Sequence, residues 1–432
     1  MVKQRIIVLA ALCLIGVLLG LLSGCGGQPP EVPQETSVDR ETEPAKADVT
    51  NGVIQDMRIG AAGPFFYVPG TGRSTAVQKY NTVTHRVSRA CPDADCDGKG
   101  LLDDYNIIVT YMSADGIQYY GVIPLLQGDG DTIHLIAQDI ETGKITEITT
   151  LSSAEQLPRS DVQVYDGQLY YMRKLLRSGG DRTDPDDYEP VIVRRPVQGG
   201  SEATVLRLSE DEGLRYVVKE GMILLTAQGV SLVDPETGSR RDYPLTEAQK
   251  AEWDIAGTAG IHSCAYRNGI LYFRVAALTP LDVPEEDRLV ESGPTGDYIL
   301  SLDLTAGTYR RLMDKQVYSM YLSDEGIYFV PTEQRYLYVP ENLTDENRDQ
   351  IVMTSFSGVL CRCDFDGRNE KEVYRNDKLS FADPYYFAVV DGQLYGPVSE
   401  YNEKTHRFTE HARFAQIDLK TGEIIEFTGE GA

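Results

Sequence analysis

Basic residues and recognisable enzyme motifs are both scarce in this chain of 432 residues. It has 41 Lys and Arg against 66 Asp and Glu, which gives a formal charge of −25 at pH 7. Such an acidic chain is a poor partner for nucleic acid or for anionic lipid headgroups. The sequence lacks a Gly-x-Ser-x-Gly nucleophile elbow and a Walker-type phosphate loop, and Gly70-Thr-Gly72 lacks the third glycine of a dinucleotide site. Enzymes that depend on these motifs are not supported.

The first 25 residues have the pattern of an export signal. Two basic residues, Lys3 and Arg5, precede an apolar run at 6–22, which ends in Leu-Ser-Gly-Cys25. This ending resembles the lipobox of bacterial lipoproteins, and the resemblance implies cleavage after residue 24 and a diacylglycerol on the Cys25 sulfur. The alternative is an uncleaved membrane anchor, for which a run of 17 residues is short. We therefore expect an extracytoplasmic protein that the lipid on Cys25 anchors to the cell membrane.

Residues 25–52 have the composition of a flexible tether. They are rich in Pro, Glu, Asp and Thr and have almost no large apolar side chain, so they cannot bury enough surface to fold. The remaining domain, 53–428, is longer than the roughly 250 residues of a usual single core. A repeat architecture that grows by adding units accounts for this length.

The cysteines do not suggest a complete disulfide framework. Without Cys13 of the signal and the lipidated Cys25, an odd number of cysteines remains: Cys91, Cys96, Cys264, Cys361 and Cys363. Cys91 and Cys96 are close enough in sequence to pair if a turn brings them together. Cys361 and Cys363 lie two residues apart in a predicted strand, so they point to the same face and are expected to pack there.

Tight turns between apolar segments recur along the chain. Asp-Gly and Asn-Gly supply the positive φ angles of two-residue hairpins. The predicted turns of this first kind are Asp115-Gly116, Asp166-Gly167, Glu220-Gly221, Asn268-Gly269, Glu325-Gly326 and Asp391-Gly392. A second turn, Asp-x-x-x-Gly, follows most of them, and it starts at Asp139, Asp234, Asp303 and Asp418. Each repeat therefore contains four antiparallel strands.

An N-terminal repeat at 53–91 brings the count to seven. A repeat of about 50 residues that forms a four-stranded sheet is typical of a β-propeller, whose radial closure leaves few exposed edges. We therefore predict an all-β fold, a β-propeller of seven four-stranded blades. Six or eight blades are the alternatives, because the first repeat is irregular.

These turns also resemble those of known propellers. The Asp-x-x-Thr-Gly turn is similar to that of quinoprotein-like propellers. The Asp-Gly-x-Leu-Tyr-Tyr hairpin resembles propeller lipoproteins of unknown function from anaerobic Gram-positive bacteria, which are described as similar to the low-density-lipoprotein-receptor propeller. The segments 360–369 and 91–96 are most like those lipoproteins. The resemblance implies a fold and no activity, and a single Trp, Trp253, excludes the quinone-dependent enzymes, which have a docking Trp in most blades.

One acidic segment has the spacing of cation ligands. Asp93, Asp95 and Asp97 alternate before Gly98, and Asp104 occupies the twelfth position of a loop, so several carboxylate oxygens could converge on calcium. The pattern departs from an EF-hand because Asp replaces the final Glu and no helices flank it. We favour a solvated acidic turn, closed by a Cys91–Cys96 disulfide, and keep calcium, the one candidate cofactor, as the alternative.

Two further local patterns lead to predictions. His406 and His411 are five residues apart, a spacing that fits no zinc-peptidase motif. Residues 246–253 are predicted to form a short helix, with Thr246 as its cap and Gln249 in the capping-box position.

Four long segments are predicted to connect the second and third strands of their repeats: 173–189, 276–296, 332–357 and 397–411. Because antiparallel strands alternate in direction, these connections all lie at one end of the repeats. Long loops on a rigid scaffold are where binding residues concentrate. The candidate binding residues on them are Asp184, Asp186, Asp187, Tyr336, Tyr338 and Tyr401.

Two functional hypotheses follow. The first is a non-enzymatic binding or scaffold module that holds a protein, peptide or glycan on this face. The alternative is a cell-envelope enzyme, a glycan lyase or hydrolase, whose carboxylates lie on the same connections. The fold alone does not separate them, because propellers host both.

Overall fold

Antiparallel strands account for nearly all of the regular structure, as the sequence predicts. The computed structural model describes residues 54–429 with gaps, the longest of which are 69–77, 90–104, 125–132, 280–295 and 345–351. All described residues belong to one compact unit, Ala47–Ala432. The all-β prediction is confirmed.

The strands form consecutive four-stranded meanders, which we call units 1 to 7 in chain order. A short strand, β1 (Ile54–Gln55), precedes unit 1: β2 (Gly60–Ala62), β3 (Phe65–Val68), β4 (Gln78–Asn81) and β5 (Arg86–Arg89). Unit 2 is β6 (Tyr105–Met112), β7 (Ile117–Pro124), β8 (Ile133–Asp139) and β9 (Ile145–Leu151). Unit 3 is β10 (Val162–Tyr165), β11 (Gln168–Leu176), β12 (Tyr188–Pro196) and β13 (Ala203–Arg207).

Units 4 to 7 repeat this arrangement with additions. Unit 4 is β14 (Gly213–Val218), β15 (Gly221–Thr226), β16 (Gly229–Val233) and β17 (Arg240–Pro244); unit 5 is β18 (Ile261–Arg267), β19 (Ile270–Ala276), β20 (Asp297–Asp303) and β21 (Thr308–Arg311). Unit 6 is β22 (Val317–Leu322), β23 (Ile327–Pro331), an inserted hairpin of β24 (Glu333–Tyr338) and β25 (Val352–Phe356), then β26 (Val359–Cys363) and β27 (Lys371–Arg375). Unit 7 is β28 (Leu379–Phe381), β29 (Ala388–Val390), β30 (Gln393–Asn402), β31 (Arg407–Phe408), β32 (Arg413–Asp418) and β33 (Ile424–Glu426), followed by β34 (Thr428–Gly429).

Three of the six predicted Asp-Gly, Asn-Gly and Glu-Gly turns have the expected local geometry, whereas at Glu220-Gly221 and Glu325-Gly326 only the glycine has a positive φ, and Asp115-Gly116 lies outside the described residues. At Asp166-Gly167 the φ angles are 49° and 68°, and at Asn268-Gly269 they are 50° and 82°, as a two-residue hairpin requires. In the second turn the Asp carboxylate accepts hydrogen bonds from two backbone N–H groups. Asp418 accepts them from Lys420 and Thr421, at 2.9 and 2.7 Å. Local side-chain chemistry therefore fixes both turns of a unit.

Neighbouring units pack through their apolar faces. One cluster fills the space between units 4 and 5, with Tyr216, Phe273 and Leu300 among its buried members. Another joins units 5 and 6, and a third contains residues of units 6, 7 and 1. In the third cluster the ring of Phe66 of unit 1 packs at a tilt against that of Tyr395 of unit 7, with ring centroids 5.0 Å apart. The first and the seventh unit are therefore packed against each other.

Both ends of the described chain join distant units. Strand β1 pairs antiparallel with β18 of unit 5, with Ile54 opposite Tyr266 and Gln55 opposite Ala265. Strand β34 pairs parallel with β5, the outermost strand of unit 1, and the Phe427 ring before it packs edge-on against Tyr80 at 5.3 Å. Neither contact follows from a local sequence pattern.

Each unit has two different ends. The turns between its first and second strands and between its third and fourth strands lie at one end, which we call the hairpin-turn end. The connection between its second and third strands lies at the other, the connection end. The four predicted long connections are confirmed as second-to-third connections. Three of them are shorter than predicted, because β11, β12, β19 and β30 extend further: the connections are 177–187, 277–296, 332–358 and 403–412.

Other local predictions also agree with the structure. Helix α1 (Glu247–Trp253) has a complete capping box between Thr246 and Gln249. Cys361 and Cys363 are both buried, with Cys361 4% and Cys363 1% exposed. Cys91 and Cys96 lie outside the described residues. Among the helices that the structure describes, none is long and apolar enough to span a membrane.

Candidate functional site

The first strands of several units carry a β-bulge near their start. The register of each strand shifts by one residue against the second strand, which leaves an extra residue in units 2, 4, 5 and 6: Ile108, Arg215, His262 and Tyr318. Since a first strand runs from the connection end to the hairpin-turn end, all four bulges lie at the connection end. Bulges re-aim side chains and are frequent beside active sites.

Hydrogen bonds place three of these bulged strands side by side. The Tyr216 hydroxyl of β14 donates to the Cys264 carbonyl of β18 at 2.7 Å. The Arg274 guanidinium of β19 donates to the carbonyl of Tyr318, the extra residue of β22. The connection ends of units 4, 5 and 6 therefore present a continuous row of bulged first strands.

Arg274 is the buried centre of this row. Its Nε donates to the Ser263 hydroxyl at 2.8 Å, and its guanidinium forms an ion pair with Asp297 at 3.0 Å. The two charged side chains are only 4% and 7% exposed. A bulge leaves its extra residue outside the ladder of backbone hydrogen bonds, so the Tyr318 carbonyl needs another donor, and Arg274 supplies it. Arg274 thus connects two units directly beneath their bulges.

Gln316 extends these polar contacts to the long connections. Its side chain accepts a hydrogen bond from the Gly296 N–H at 2.8 Å and donates one to the Thr279 carbonyl at 3.0 Å. Its own carbonyl accepts from the Thr332 N–H at 3.1 Å. Gln316 is buried; its side chain fixes both ends of the unit 5 connection, and its backbone carbonyl fixes the start of the unit 6 connection.

A second charged cluster lies between units 2 and 3. Arg173 of β11 forms ion pairs with Glu155 and with Glu202, the latter at 3.0 Å, and the Tyr171 hydroxyl donates to Glu202. Burial alone would raise the pKa of Glu155, but hydrogen bonds from Ser152 and the charge of Arg173 outweigh it and lower that pKa. Burial, reinforced by Glu202, raises the pKa of the Tyr171 hydroxyl.

This cluster is a poor acid–base pair. A general acid that works near neutral pH needs a carboxyl group with a raised pKa. Glu155 has a lowered one, so it is ionised at neutral pH. We therefore infer that the cluster has a structural role: it holds the segment between units 2 and 3 against β11.

The predicted aspartates shape their own connection. The Asp184 carboxylate accepts a hydrogen bond from the Asp186 N–H at 2.9 Å, and the Asp187 carboxylate accepts one from the Asp181 N–H at 2.6 Å. The Asp186 carbonyl accepts one from Arg177 at 3.1 Å. A single 3₁₀ turn, Pro185–Asp187, results. Two of the three carboxylates therefore have a structural task inside the loop.

The predicted tyrosines come from two other units. Tyr336 and Tyr338 lie in β24, opposite Met353 and Val352 of β25. Tyr401 lies near the end of β30, and its ring packs edge-on against Phe408 at 5.6 Å. All six predicted residues thus belong to connection ends, but they come from units 3, 6 and 7. The bulged residues of units 4 and 5 were not among them.

The predicted calcium site cannot be assessed in the structure. Asp93, Asp95, Asp97 and Asp104 lie outside the described residues. In the part of the chain that the structure describes, no group of three or more His, Cys, Asp or Glu side chains could hold a metal ion. Calcium at the acidic segment therefore stays a prediction.

Comparison with known proteins gives structural likenesses only. No protein-family model and no curated protein matches this chain. A structure of prolyl endopeptidases superimposes with a TM-score of 0.51 at 8% identity, covering 88% of this chain and 50% of that one. An acylaminoacyl peptidase of Pyrococcus horikoshii gives 0.48 at 9%, over 86% and 52%, and a polysaccharide lyase gives 0.44 at 11%, over 86% and 90%. The chain thus spans half the length of the prolyl endopeptidase it resembles, and this likeness supports the β-propeller fold.

The comparison corrects one prediction. We favoured a non-enzymatic binding or scaffold module, and this is wrong as the first choice, because the similar structure with a TM-score above 0.5 is that of an enzyme, a prolyl endopeptidase. At these identities the likeness transfers the fold and no particular reaction. The alternative hypothesis, an enzyme, is therefore the preferred one.

Proposed function

We propose that this chain is a lipid-anchored enzyme of the cell envelope, a glycan lyase or hydrolase. Its active site lies at the connection end of units 4, 5 and 6. The observation that carries the proposal is the row of β-bulges, which interrupts neighbouring first strands at the same end that bears the long connections. Rigid strands held by a buried ion pair are the support that a preorganised active site needs.

Two residues of the row are assigned to substrate. Arg215 is a half-buried cation, and a guanidinium can bind a sugar carboxylate through two parallel hydrogen bonds. Tyr318 is half-buried, and a phenol is able to donate a proton to a departing sugar oxygen. The Asp186 carboxylate of unit 3 and Tyr401 of unit 7 lie at the same end and are assigned to binding the rest of the glycan.

The architecture that we propose is a closed propeller of seven blades, one for each unit. The packing of Phe66 against Tyr395 supports it, since this contact joins the first unit to the last. A second support is the short distance from β1 to β2. Gln55 pairs with the first strand of unit 5, and Gly60 begins the first strand of unit 1, so four residues, which span at most about 18 Å from the Cα of Gln55 to that of Gly60, join them. First strands of non-neighbouring units are thus close together, as around a propeller axis.

The cellular setting of this proposal comes from the sequence. The lipobox-like segment makes Cys25 the site of lipid attachment, residues 1–24 a cleaved signal and 25–52 a tether to the membrane. The resemblance of the turns to those of propeller lipoproteins supports this setting. An exported protein with free thiols is expected to bury them. The three free thiols that the structure describes are all buried: Cys264, Cys361 and Cys363.

A glycan-cleavage assay tests the enzyme proposal. The purified full chain is incubated with a panel of cell-envelope polysaccharides, and new reducing ends and unsaturated sugars are measured; the unsaturated sugars separate elimination from hydrolysis. Arg215→Ala and Tyr318→Phe are each expected to lower the rate by about a hundredfold. Arg310→Ala and Tyr165→Phe are the matched controls, as both residues are exposed and lie outside the row. Full activity in the first pair, or no cleavage of any glycan by the original chain, would refute the proposal.

A further inference from the structure

The direction of β1 shows from which end the chain enters the domain. Strand β18 runs from Ile261 at the connection end to Arg267 at the hairpin-turn end. Because β1 is antiparallel to it, the chain runs from the hairpin-turn end towards the connection end as it passes from Ile54 to Gln55. Ile54 is opposite Tyr266, the residue next to the last of β18, so it lies close to the hairpin-turn end.

The subsequent chain is consistent with this direction. Strand β2, the first of unit 1, must start at the connection end, since its turn to β3 at 63–64 is at the hairpin-turn end. A β1 that runs towards the connection end delivers the chain to that starting point. The entry direction is therefore set by two independent strand pairings.

We infer that the hairpin-turn end of the domain faces the membrane and that the connection end faces away from it. This inference rests on the proposed lipid on Cys25. It also deepens the proposed function, because the row of bulges would then meet glycans that reach the protein from the side opposite the bilayer. Lipid-linked sugars whose reactive bond lies at the membrane surface would be excluded as substrates.

The tether length makes this a preference that can be measured. If the predicted tether behaves as a flexible coil, the 28 residues 26–53 have a root-mean-square length of about 30 Å. Turning the domain over requires the chain to pass along the height of the strands, about 25–30 Å for eight or nine residues. A tether of that root-mean-square length is therefore expected to allow the reversed orientation about fivefold less often than the inferred one. Deleting residues 30–45 shortens the root-mean-square length of the tether to about 20 Å, and it raises the preference for the inferred orientation above tenfold, roughly.

Energy transfer from the protein to a membrane dye tests the orientation. A fluorophore is attached by a click reaction at position 420 or at position 404 of the lipidated full chain in phosphatidylcholine vesicles with a headgroup acceptor. The two positions are a matched pair, because both lysines are exposed and belong to unit 7, Lys420 in a hairpin turn and Lys404 in the connection. Transfer is expected to be stronger from position 420, and the difference is expected to grow when residues 30–45 are deleted.

The experiment distinguishes a wrong orientation from a missing lipid anchor. Equal transfer from both positions, or stronger transfer from position 404, in a protein that floats with the vesicles overturns the orientation and leaves the lipid anchor intact. A protein that does not float overturns the anchor, and the orientation with it. Glycan cleavage is measured separately, so a missing activity has no bearing on the result.

Discussion

Removing the positive charge of Arg274 should be among the most damaging single changes in the domain. Arg274→Met keeps much of the side-chain volume but leaves Asp297, 7% exposed, as a buried carboxylate without its ion-pair partner. Breaking a buried ion pair in this way costs about 3–5 kcal/mol of the free energy of unfolding. The same change deprives the Tyr318 carbonyl and the Ser263 hydroxyl of their donor.

Urea denaturation followed by circular dichroism measures this loss. With a slope of about 3 kcal/mol per molar urea, a loss of 4 kcal/mol moves the midpoint by about 1.3 M. Asp297→Asn alone should also destabilise, because it neutralises the carboxylate that forms an ion pair with the buried Arg274. The double variant should lose about 1–3 kcal/mol less than the sum of the two single variants, since residues in one network are coupled.

An exposed ion pair provides the control. Glu372 and Arg375 form a pair at 2.8 Å, but their side chains are 45% and 39% exposed, so Glu372→Gln should cost less than about 1 kcal/mol. A loss below about 1 kcal/mol for Arg274→Met, or strict additivity in the double variant, would refute the reasoning that this pair holds the two bulges.

Four further predictions use other residues. Glu155→Gln should reduce the loss of stability in acid: the lowered pKa of Glu155 contributes stability above its ordinary value near 4.5, and this is lost as pH falls through the lower folded value, so the two unfolding curves should converge at low pH. Burial raises the pKa of Cys361 to about 11 and of Cys363 to about 12, so neither thiol should be alkylated in the native protein at pH 8, whereas both should react in urea; peptide mass spectrometry would expose rapid native labelling as a contradiction. Cys25→Ala should abolish partition into a detergent phase, and unchanged partition would disprove the lipobox. If calcium binds the acidic segment, a chelator should lower the melting temperature by a few degrees in the original chain and have no effect in Asp95→Ala; an unchanged melting curve would leave the solvated turn.

The hairpins were predictable because their chemistry is local. At Asp166-Gly167 and Asp418 the residues that set the backbone conformation lie within four positions of each other, so a short sequence window contains the cause. The capping box of α1 is predictable for the same reason, since Thr246 and Gln249 are three residues apart. The sequence therefore predicted the local structure wherever the residues that determine it lie within the same turn.

The contacts of the candidate site depend on distant residues. The partners of Arg274 are Ser263, Asp297 and Tyr318, which belong to three other strands, and no local motif marks them. A bulge adds one residue to a strand and so only shifts the apolar alternation by one position, a change that a short strand can hide. The aspartates of unit 3 stood out in the sequence because they are clustered, but two of them turned out to stabilise their own loop.

The pairing of β34 with β5 constrains when the domain can be completed during biosynthesis. Thr428 lies beside Arg86, and Gly429 lies beside Val87, where a Cβ would come within 2.1 Å of the Val87 carbonyl oxygen, so glycine is required there. The outer edge of unit 1 is thus closed by residues that are synthesised only after all of units 2 to 7. An emerging chain cannot make this contact until residue 429 has left the ribosome. Until then the domain lacks one of its strand pairings, and if the chain is exported as the sequence predicts, this delay would keep it easier to unfold for a secretion channel.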